Sequence, residues 1–560
     1  MRLTGGTPVL QETHMTQSYF TNVTAEWSFT ASRPYDNPFS DVDVDVIVTG
    51  PGRREWRVPA FWAGGRVWRM RFAAPTAGTY KFRTECTNAA DAGLHGVEGA
   101  FTAAKYKGEN PLYRHGRFHV DVDGRHFVHA DGTPFFWLGD TWWMGLTDRL
   151  KWRKEFPRLL ADRVDKGFTV VQIIAGLYPD MDWQDPRGKN EAGLPYDADF
   201  SHVNPKWYDF ADRKLFAMTD AGIAPCLVGC WGYFAMWMGV EKARRHWRYL
   251  VARYGSLPVF WCLAGEETMP FYTVGLGENA DPGEARRHAE TQQAIWTEVA
   301  RDMRMLDPFH NPVTLHPGMP TRDCVGDDSL VDFSMVQTGH SGFDSMADTL
   351  RIVREEYARR PAMPVVQSEV NYEGICGLSK DDVQRGGFWL CLLNGVAGFT
   401  YGANGLWQLN RADQPYGPSP HGATWGNRTW DQAMNLPGSG VLGRARRLLE
   451  RYSWWKLQPC PERFLSPPSP QVWQTPQIAG IEGKLLIAYL HASKAAWVPA
   501  DWGRLGGFEP GATYRARWID PEFDMEYPIP NFIAGTDGQW TMPYSPIIGS
   551  ILLVVERVKR

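Results

Sequence analysis

Residues 258–267 read PVFWCLAGEE, an apolar run closed by a glycine and two carboxylates. A short continuous apolar run bounded by turn residues predicts a strand buried on both faces, as in parallel sheets. Seven further runs of this type accompany it: PFFWLGD (134–140), FTVVQIIAG (168–176), IAPCLVGC (223–230), NPVTLHP (311–317), VDFSMVQTG (331–339), MPVVQSE (363–369) and VAGFTYG (396–402). Helix-like stretches such as 204–222 and 283–306 lie between them. Eight alternations over roughly 320 residues predict a (β/α)8 TIM barrel with insertions. A doubly wound sheet is the competing arrangement, but no glycine-rich fingerprint follows any of these runs.

Outward from this core the pattern changes at both ends. DVDVDVIV (41–48) alternates strictly and AGTYKFRTEC (77–86) follows a turn, which predicts an N-terminal β-sandwich of Ig-like type over 1–115. FHVDVDGRHFVHA (118–130) reads as a β-hairpin turning at Asp123-Gly124 and leading into the central barrel, taken as 116–458. GKLLIAYL (483–490), ATYRARWIDP (512–521) and GSILLVVERV (549–558) predict a C-terminal β-sandwich over 459–560. The two terminal domains are expected to buttress the barrel.

Composition narrows the function. A formal net charge of -4 over 560 residues gives no footprint for nucleic acid. The 26 Trp, 21 Tyr and 28 Phe suit a groove that stacks on sugar rings. No apolar run follows the early arginine in MRLTGGTPVLQETHM (1–15), and no segment is long enough to span a bilayer, so no membrane partner and a cytoplasmic location are expected. Cys226, Cys230, Cys262 and Cys391 lie in apolar strand-like runs and read as buried thiols. A homo-oligomer is compatible with the sequence.

In this barrel the chemistry sits at the C-terminal ends of the strands. Those ends carry Asp140, Trp142 and Trp143; Trp231; Glu266 and Glu267; His316; Gln337 and His340; Glu369, Asn371, Tyr372 and Glu373; and Asn404 and Trp407. Glycosidic cleavage needs two carboxyl groups flanking the bond. Glu266 on strand four and Glu369 on strand seven could face each other across a pocket. Glu267 and Glu373 are their rivals, since alternating side chains let only one of each neighbouring set enter. Asp140, Trp142, Trp143, Trp231, His316, Gln337, Asn371, Tyr372 and Trp407 are the candidate sugar-binding residues. No GxSxG elbow, HExxH or Walker loop is present, and no cofactor or metal is expected. Two alternatives stay open: a carbohydrate-binding protein without activity, and a metal-dependent barrel hydrolase using His316, His340 and Asp140.

The runs FFWLGDTWWMGL (135–146), LAGEE (263–267) and VVQSEVNYEG (365–374) resemble the apiosidase-like barrel family, within the clan of retaining glycosidases that carries carboxylates on strands four and seven. The N-terminal sandwich is similar to the domain preceding such barrels, and the final hundred residues resemble a β-domain described as collagen-binding. The resemblance implies Glu266 as acid/base, Glu369 as nucleophile, and Asp140 with the Trp142-Trp143 pair in the sugar-binding floor. It departs at Gly265, where the clan has an asparagine that binds the sugar 2-hydroxyl; Gln337 or His316 would make that contact instead. Apiosidases proper tend to carry Asp at the acid/base position, where this chain has Glu266. The expected activity is that of a retaining, exo-acting glycoside hydrolase on oligosaccharides or glycosides.

Overall fold

The computed structural model describes residues 18–197, 199–269, 281–318, 320–418, 426–491 and 503–558. Residues 1–17, on which the expectation about an export signal rests, lie outside the described residues.

Eight parallel strands form the centre: β1 (Trp137–Thr141), β2 (Val170–Ile174), β3 (Ala224–Trp231), β4 (Phe260–Gly265), β5 (Val313–His316), β6 (Ser334–Gln337), β7 (Val365–Glu369) and β8 (Gly398–Tyr401). Each falls within or against one of the eight apolar runs. Hydrogen bonding runs β5-β4-β3-β2-β1-β8-β7-β6, so the ladder is continuous except between β5 and β6. Hydroxyl groups span that seam. Thr321 Oγ1 donates to Leu315 O at 2.7 Å and accepts from Met335 N–H at 2.9 Å. Thr314 Oγ1 donates to Phe333 O at 2.8 Å. The arrangement is a TIM barrel, not an open sheet.

Around it run α1 (Glu155–Lys166), α2 (Pro205–Asp220), α3 (Phe234–Tyr254), α4 (Pro282–Leu306), α5 (Met346–Ala358), α6 (Asp381–Leu392) and α7 (Pro437–Glu450). Their starts follow local chemistry. Asp281 caps α4 by accepting the Gly283 N–H at 3.0 Å, and Pro282 occupies the first turn, where its missing N–H costs nothing. Among the described residues only 3-10 turns, Thr321–Asp323 and Asp328–Leu330, join β5 to β6.

The barrel floor is plugged by the predicted hairpin. Phe118–Val120 pairs with Phe127–His129, and the Phe127 ring meets Trp137, Phe260 and Phe333 at the bottoms of three strands, 5.1–6.1 Å between centroids. Aromatic contacts at these distances bury large apolar area without polar cost. The mouth is therefore the other end, where β4 and β7 deliver Gly265-Glu266 and Glu369.

A five-stranded and a three-stranded sheet face each other in the N-terminal region, around a core that includes Trp27, Trp68, Phe72, Tyr80 and Phe101. It is tied to the barrel by buried charge. Arg71 reaches Glu26 at 2.8 Å and Asp212 of α2 at 2.5 Å, while Arg253 of α3 holds the same Asp212 at 2.8 Å. The C-terminal region has a six-stranded and a two-stranded sheet. No disulfide forms among the described residues, and Cys226, Cys230, Cys262 and Cys391 are buried as the sequence predicts. No helix among the described residues is long and apolar enough to cross a membrane.

Candidate active site

β4 ends at Gly265, and the chain turns sharply there. A Cβ at Gly265 would overlap the indole of Trp231, the last residue of β3, so the close approach of ring to backbone requires glycine. Glu266 takes φ 45, a left-handed conformation that side chains other than glycine seldom adopt. Its N–H donates to His316 O at 2.6 Å. The turn separates the two adjacent glutamates. Glu266 enters the mouth, where Oε2 accepts from Trp231 Nε1 at 3.1 Å and Oε1 accepts from Gln337 Nε2 at 3.2 Å. Glu267 is 0 % exposed and turns behind the strands, beside the Cys324 thiol.

β7 ends in Glu369, which is 7 % exposed. Oε1 accepts from His340 Nε2 at 2.8 Å and Oε2 accepts from the Tyr372 hydroxyl at 2.6 Å. His340 Nδ1 accepts the Tyr372 N–H at 3.2 Å, which puts the imidazole proton on Nε2, facing the carboxylate. His316 Nε2 lies 3.4 Å from Glu369 Oε2.

Two cross-links join the carboxyl groups. Gln337 is the register partner of Glu369 yet its amide reaches Glu266. His316 is the register partner of Gly265 yet its ring reaches Glu369. Neighbours on each side thus hold the carboxyl group of the other side. Gln337 Oε1 is buried without a partner, an acceptor left open at the site.

The electrostatics of the two carboxyl groups diverge. Burial, and then the charge of Glu369, push Glu266 up to about 8. Burial alone would raise Glu369 too, but the hydrogen bond and electrostatic pull of His340, the electrostatic pull of His316 and the hydrogen bond from the Tyr372 hydroxyl outweigh it and hold Glu369 below its usual 4.5. Burial pulls the His316 imidazole down, against the pull of Glu369. Near neutrality one carboxyl group keeps its proton and its neighbour has lost its own, the condition for pairing a general acid with a nucleophile. Glu267, raised to about 8 by burial, is also neutral there.

The predicted sugar-binding residues divide into two groups. Trp143, Trp231, His316, Gln337 and Tyr372 cluster around the pair: the Trp143 ring stands edge-on to His316 at 5.1 Å and to Trp231 at 5.5 Å. Trp407 flanks Tyr372 at 6.5 Å and Tyr416 at 5.4 Å. The side chains of Asp140, Trp142 and Asn371, of which the first two were expected in the floor, are instead engaged with structural partners. Asp140 is fully buried, ion-paired to Arg163 of α1 at 2.6 Å and accepting from Trp142 Nε1 at 2.7 Å. Trp142 is thereby drawn outward against Phe156. The Asn371 side chain accepts from Gly342 N–H at 2.8 Å and donates to Gly342 O at 3.0 Å, locking the loop after β6.

The rival Glu373 is spent on structure. It accepts the Gly438 N–H at the start of α7, at 3.0–3.1 Å, and the Tyr401 hydroxyl at 2.5 Å. The proposed metal set His316, His340 and Asp140 does not assemble: both imidazoles flank Glu369, and Asp140 belongs to Arg163. Asp180 was not anticipated. It is buried at φ 59, and its charge adds to the upward push on Glu266. The available signal was its position in LYPD, directly after β2.

Residues 121–456 match the family model for the apiosidase-like catalytic domain, and residues 21–87 match a domain of unknown function, DUF5060. No curated protein matches the sequence. Among solved structures, a glycoside hydrolase family 5 protein from Bacteroides vulgatus ATCC 8482 shares 20% identity, with 80% of this chain and 94% of that chain covered and a TM-score of 0.64. Another, described as a glycoside hydrolase, also shares 20% identity, over 80% of this chain and 98% of its own, with a TM-score of 0.64. A third from the same Bacteroides strain, provisionally described as a glycoside hydrolase, aligns over 97% of this chain and all of its own (100%), at 16% identity and a TM-score of 0.68. At these identities the likeness is one of fold.

Proposed function

With its barrel matched from 121 to 456, the chain belongs to the apiosidase-like family and is a glycoside hydrolase, and from that premise we propose that it acts with retention, from the chain end, on oligosaccharides or glycosides. Glu369 is the nucleophile in this reading and Glu266 the acid/base. The Glu369 carboxylate attacks the anomeric carbon while Glu266 gives its proton to the departing glycosidic oxygen, so the C–O bond breaks as the ester bond forms. Glu266, now ionised, takes a proton from water. That water attacks the anomeric carbon, releases the sugar with its original configuration and frees Glu369.

The observation that carries the reading is the opposite perturbation of the two carboxyl groups within one cross-linked set of side chains. Tyr372 and His340 leave Glu369 ionised. Gln337 offers its open acceptor to a sugar hydroxyl, and Trp143 and Trp231 supply ring faces. Exo action is supported by the loops after β2 and β8, which are joined over β1 and wall off that side of the mouth. Arg187 donates to Tyr416 O at 2.9 Å, and the Tyr416 hydroxyl donates to Pro179 O at 3.1 Å. A cytoplasmic place of action belongs to the same proposal, supported by cysteines that form no disulfide among the described residues.

The test is a panel of aryl glycosides and short oligosaccharides, followed by proton NMR of the first-formed anomer on a turned-over substrate. Retention is expected, with a covalent adduct of one glycosyl unit on the Glu369 peptide when a slow 2-fluoro glycoside is used. Inversion, or an adduct on another residue, would reject the assignment.

A further inference from the structure

His340 reaches Glu369 from the loop after β6, whose residues 339–345 read GHSGFDS. Gly339 at φ 93 and Gly342 at φ 63 bracket the histidine. Glycine loses more conformational freedom than any other residue when one conformation is fixed, so this turn needs anchors from outside. Asn371 is one of them, gripping both backbone groups of Gly342. Within the loop, the Ser341 N–H donates to Ser345 Oγ at 2.8 Å.

A second anchor comes from the C-terminal domain. The Phe343 ring stacks on Trp473, with centroids 5.6 Å apart and planes within 9° of parallel. His491 stands edge-on to both rings, 5.0 Å from Phe343 and 4.8 Å from Trp473. Stacked and edge-to-face contacts are both favoured arrangements, so three half-buried rings meeting in this way hold one another in place. Gly386 of α6 closes the cluster from the barrel side: a Cβ there would stand 3.7 Å from Phe343 and 3.9 Å from His491.

The two residues of the C-terminal domain are themselves fastened. Trp473 lies in the 3-10 turn Val472–Gln474. Gln477 Nε2 donates to Thr475 O at 2.7 Å beside that turn, while its Oε1 accepts from Asn394 Nδ2 at 2.8 Å and from Arg354 Nη2 of α5 at 3.4 Å. His491 directly follows the strand Leu485–Leu490, which is paired on both sides, with Gln477–Ile481 and Ile551–Arg557. The rings that grip Phe343 thus stand on a sheet bolted to the barrel.

We propose that Trp473 and His491 are positioning residues of the active site: they clamp Phe343 and so hold the loop that presents His340 to Glu369. The C-terminal domain is then a working part of the catalytic apparatus. The route is short. Phe343 lies three residues from His340, whose Nε2 stands 2.8 Å from Glu369 Oε1.

This inference rests on the reading of Glu369 as nucleophile, and its test separates the two. Full-chain protein labelled with carbon-13 glutamate reports the Glu369 titration by NMR, with Glu369→Gln assigning the signal. His340→Ala sets the scale: it should raise the titration by about one pH unit or more, the worth of a hydrogen bond to a charged group. Trp473→Ala should move it the same way, by up to that amount, and lower kcat about threefold or more at unchanged KM. Trp473→Phe, which keeps a ring for the stack, should restore both. Arg451→Gln breaks ion pairs to Asp524 and Glu526 elsewhere on the same domain and should leave the titration in place. Phe343→Leu opens the clamp from the barrel side and should repeat the Trp473→Ala shift, which decides the matter should Trp473→Ala fail to fold. A Glu369 titration unmoved in Phe343→Leu and Trp473→Ala, or moved equally by Arg451→Gln, overturns the proposal. A titration that moves as expected, alongside a covalent adduct on a residue other than Glu369, supports the clamp and rejects the nucleophile.

Discussion

Replacing Glu369 with Gln removes a negative charge while keeping shape, so Glu266 should become more acidic by the amount that charge contributes. For a retaining pair the carboxyl groups stand about 5–5.5 Å apart. At an effective dielectric of about 20, Coulomb's law gives roughly 3 kcal/mol at that separation. Since 1.36 kcal/mol corresponds to one pKa unit, Glu266 should fall by about two. It begins at about 8 and should settle near 6. It should remain above 4.5, because burial is the larger cause and survives the substitution. Carbon-13 NMR of glutamate-labelled protein, with the Glu266→Gln variant assigning the signal, reads this titration directly without needing turnover. An unmoved titration in Glu369→Gln would refute the placement of the two groups across one site.

Three further outcomes follow from the same contacts. Tyr372→Phe deletes a donor to Glu369, so the nucleophile's pKa rises and the acid limb of kcat/KM moves to higher pH, with activity near neutrality down about tenfold; an unmoved limb in the pH–rate profile would contradict it. Glu267 has a folded pKa of about 8, above its ordinary 4.5, so its contribution to stability is full below the unfolded value and fades as pH rises through the folded one. Glu267→Gln should therefore flatten that decline and gain up to about 3 kcal/mol at pH 7 in denaturant titrations, while retaining turnover. Asp140→Asn leaves Arg163 buried with its main counter-charge gone and should cost about 3 kcal/mol, seen as a lower Tm; a variant as stable as the wild type would show that Asp162 suffices as partner.

Much of this molecule is determined by local sequence alone. A strand buried on both faces is mostly apolar, so each barrel strand announced itself as a short, largely apolar run, and PVFWCLAGEE and MPVVQSE placed Glu266 and Glu369 at strand ends. The hairpin turn at Asp123-Gly124 was legible for the same reason, since glycine permits the positive φ that the turn demands. What only the tertiary structure decided is which polar side chains meet. Glu266 and Glu267 are adjacent, and their division between pocket and interior depends on a left-handed turn at Glu266 and on the indole packed over Gly265. Asp140 sits at a strand end like the others, yet Arg163, 23 residues further on, draws it away from the mouth. Glu373 lies four residues after Glu369, yet it serves a helix that begins at Pro437. Apolar burial follows the composition of one segment, whereas an ion pair or hydrogen bond needs two specific partners brought together by the closed barrel, and nothing within either segment records the other.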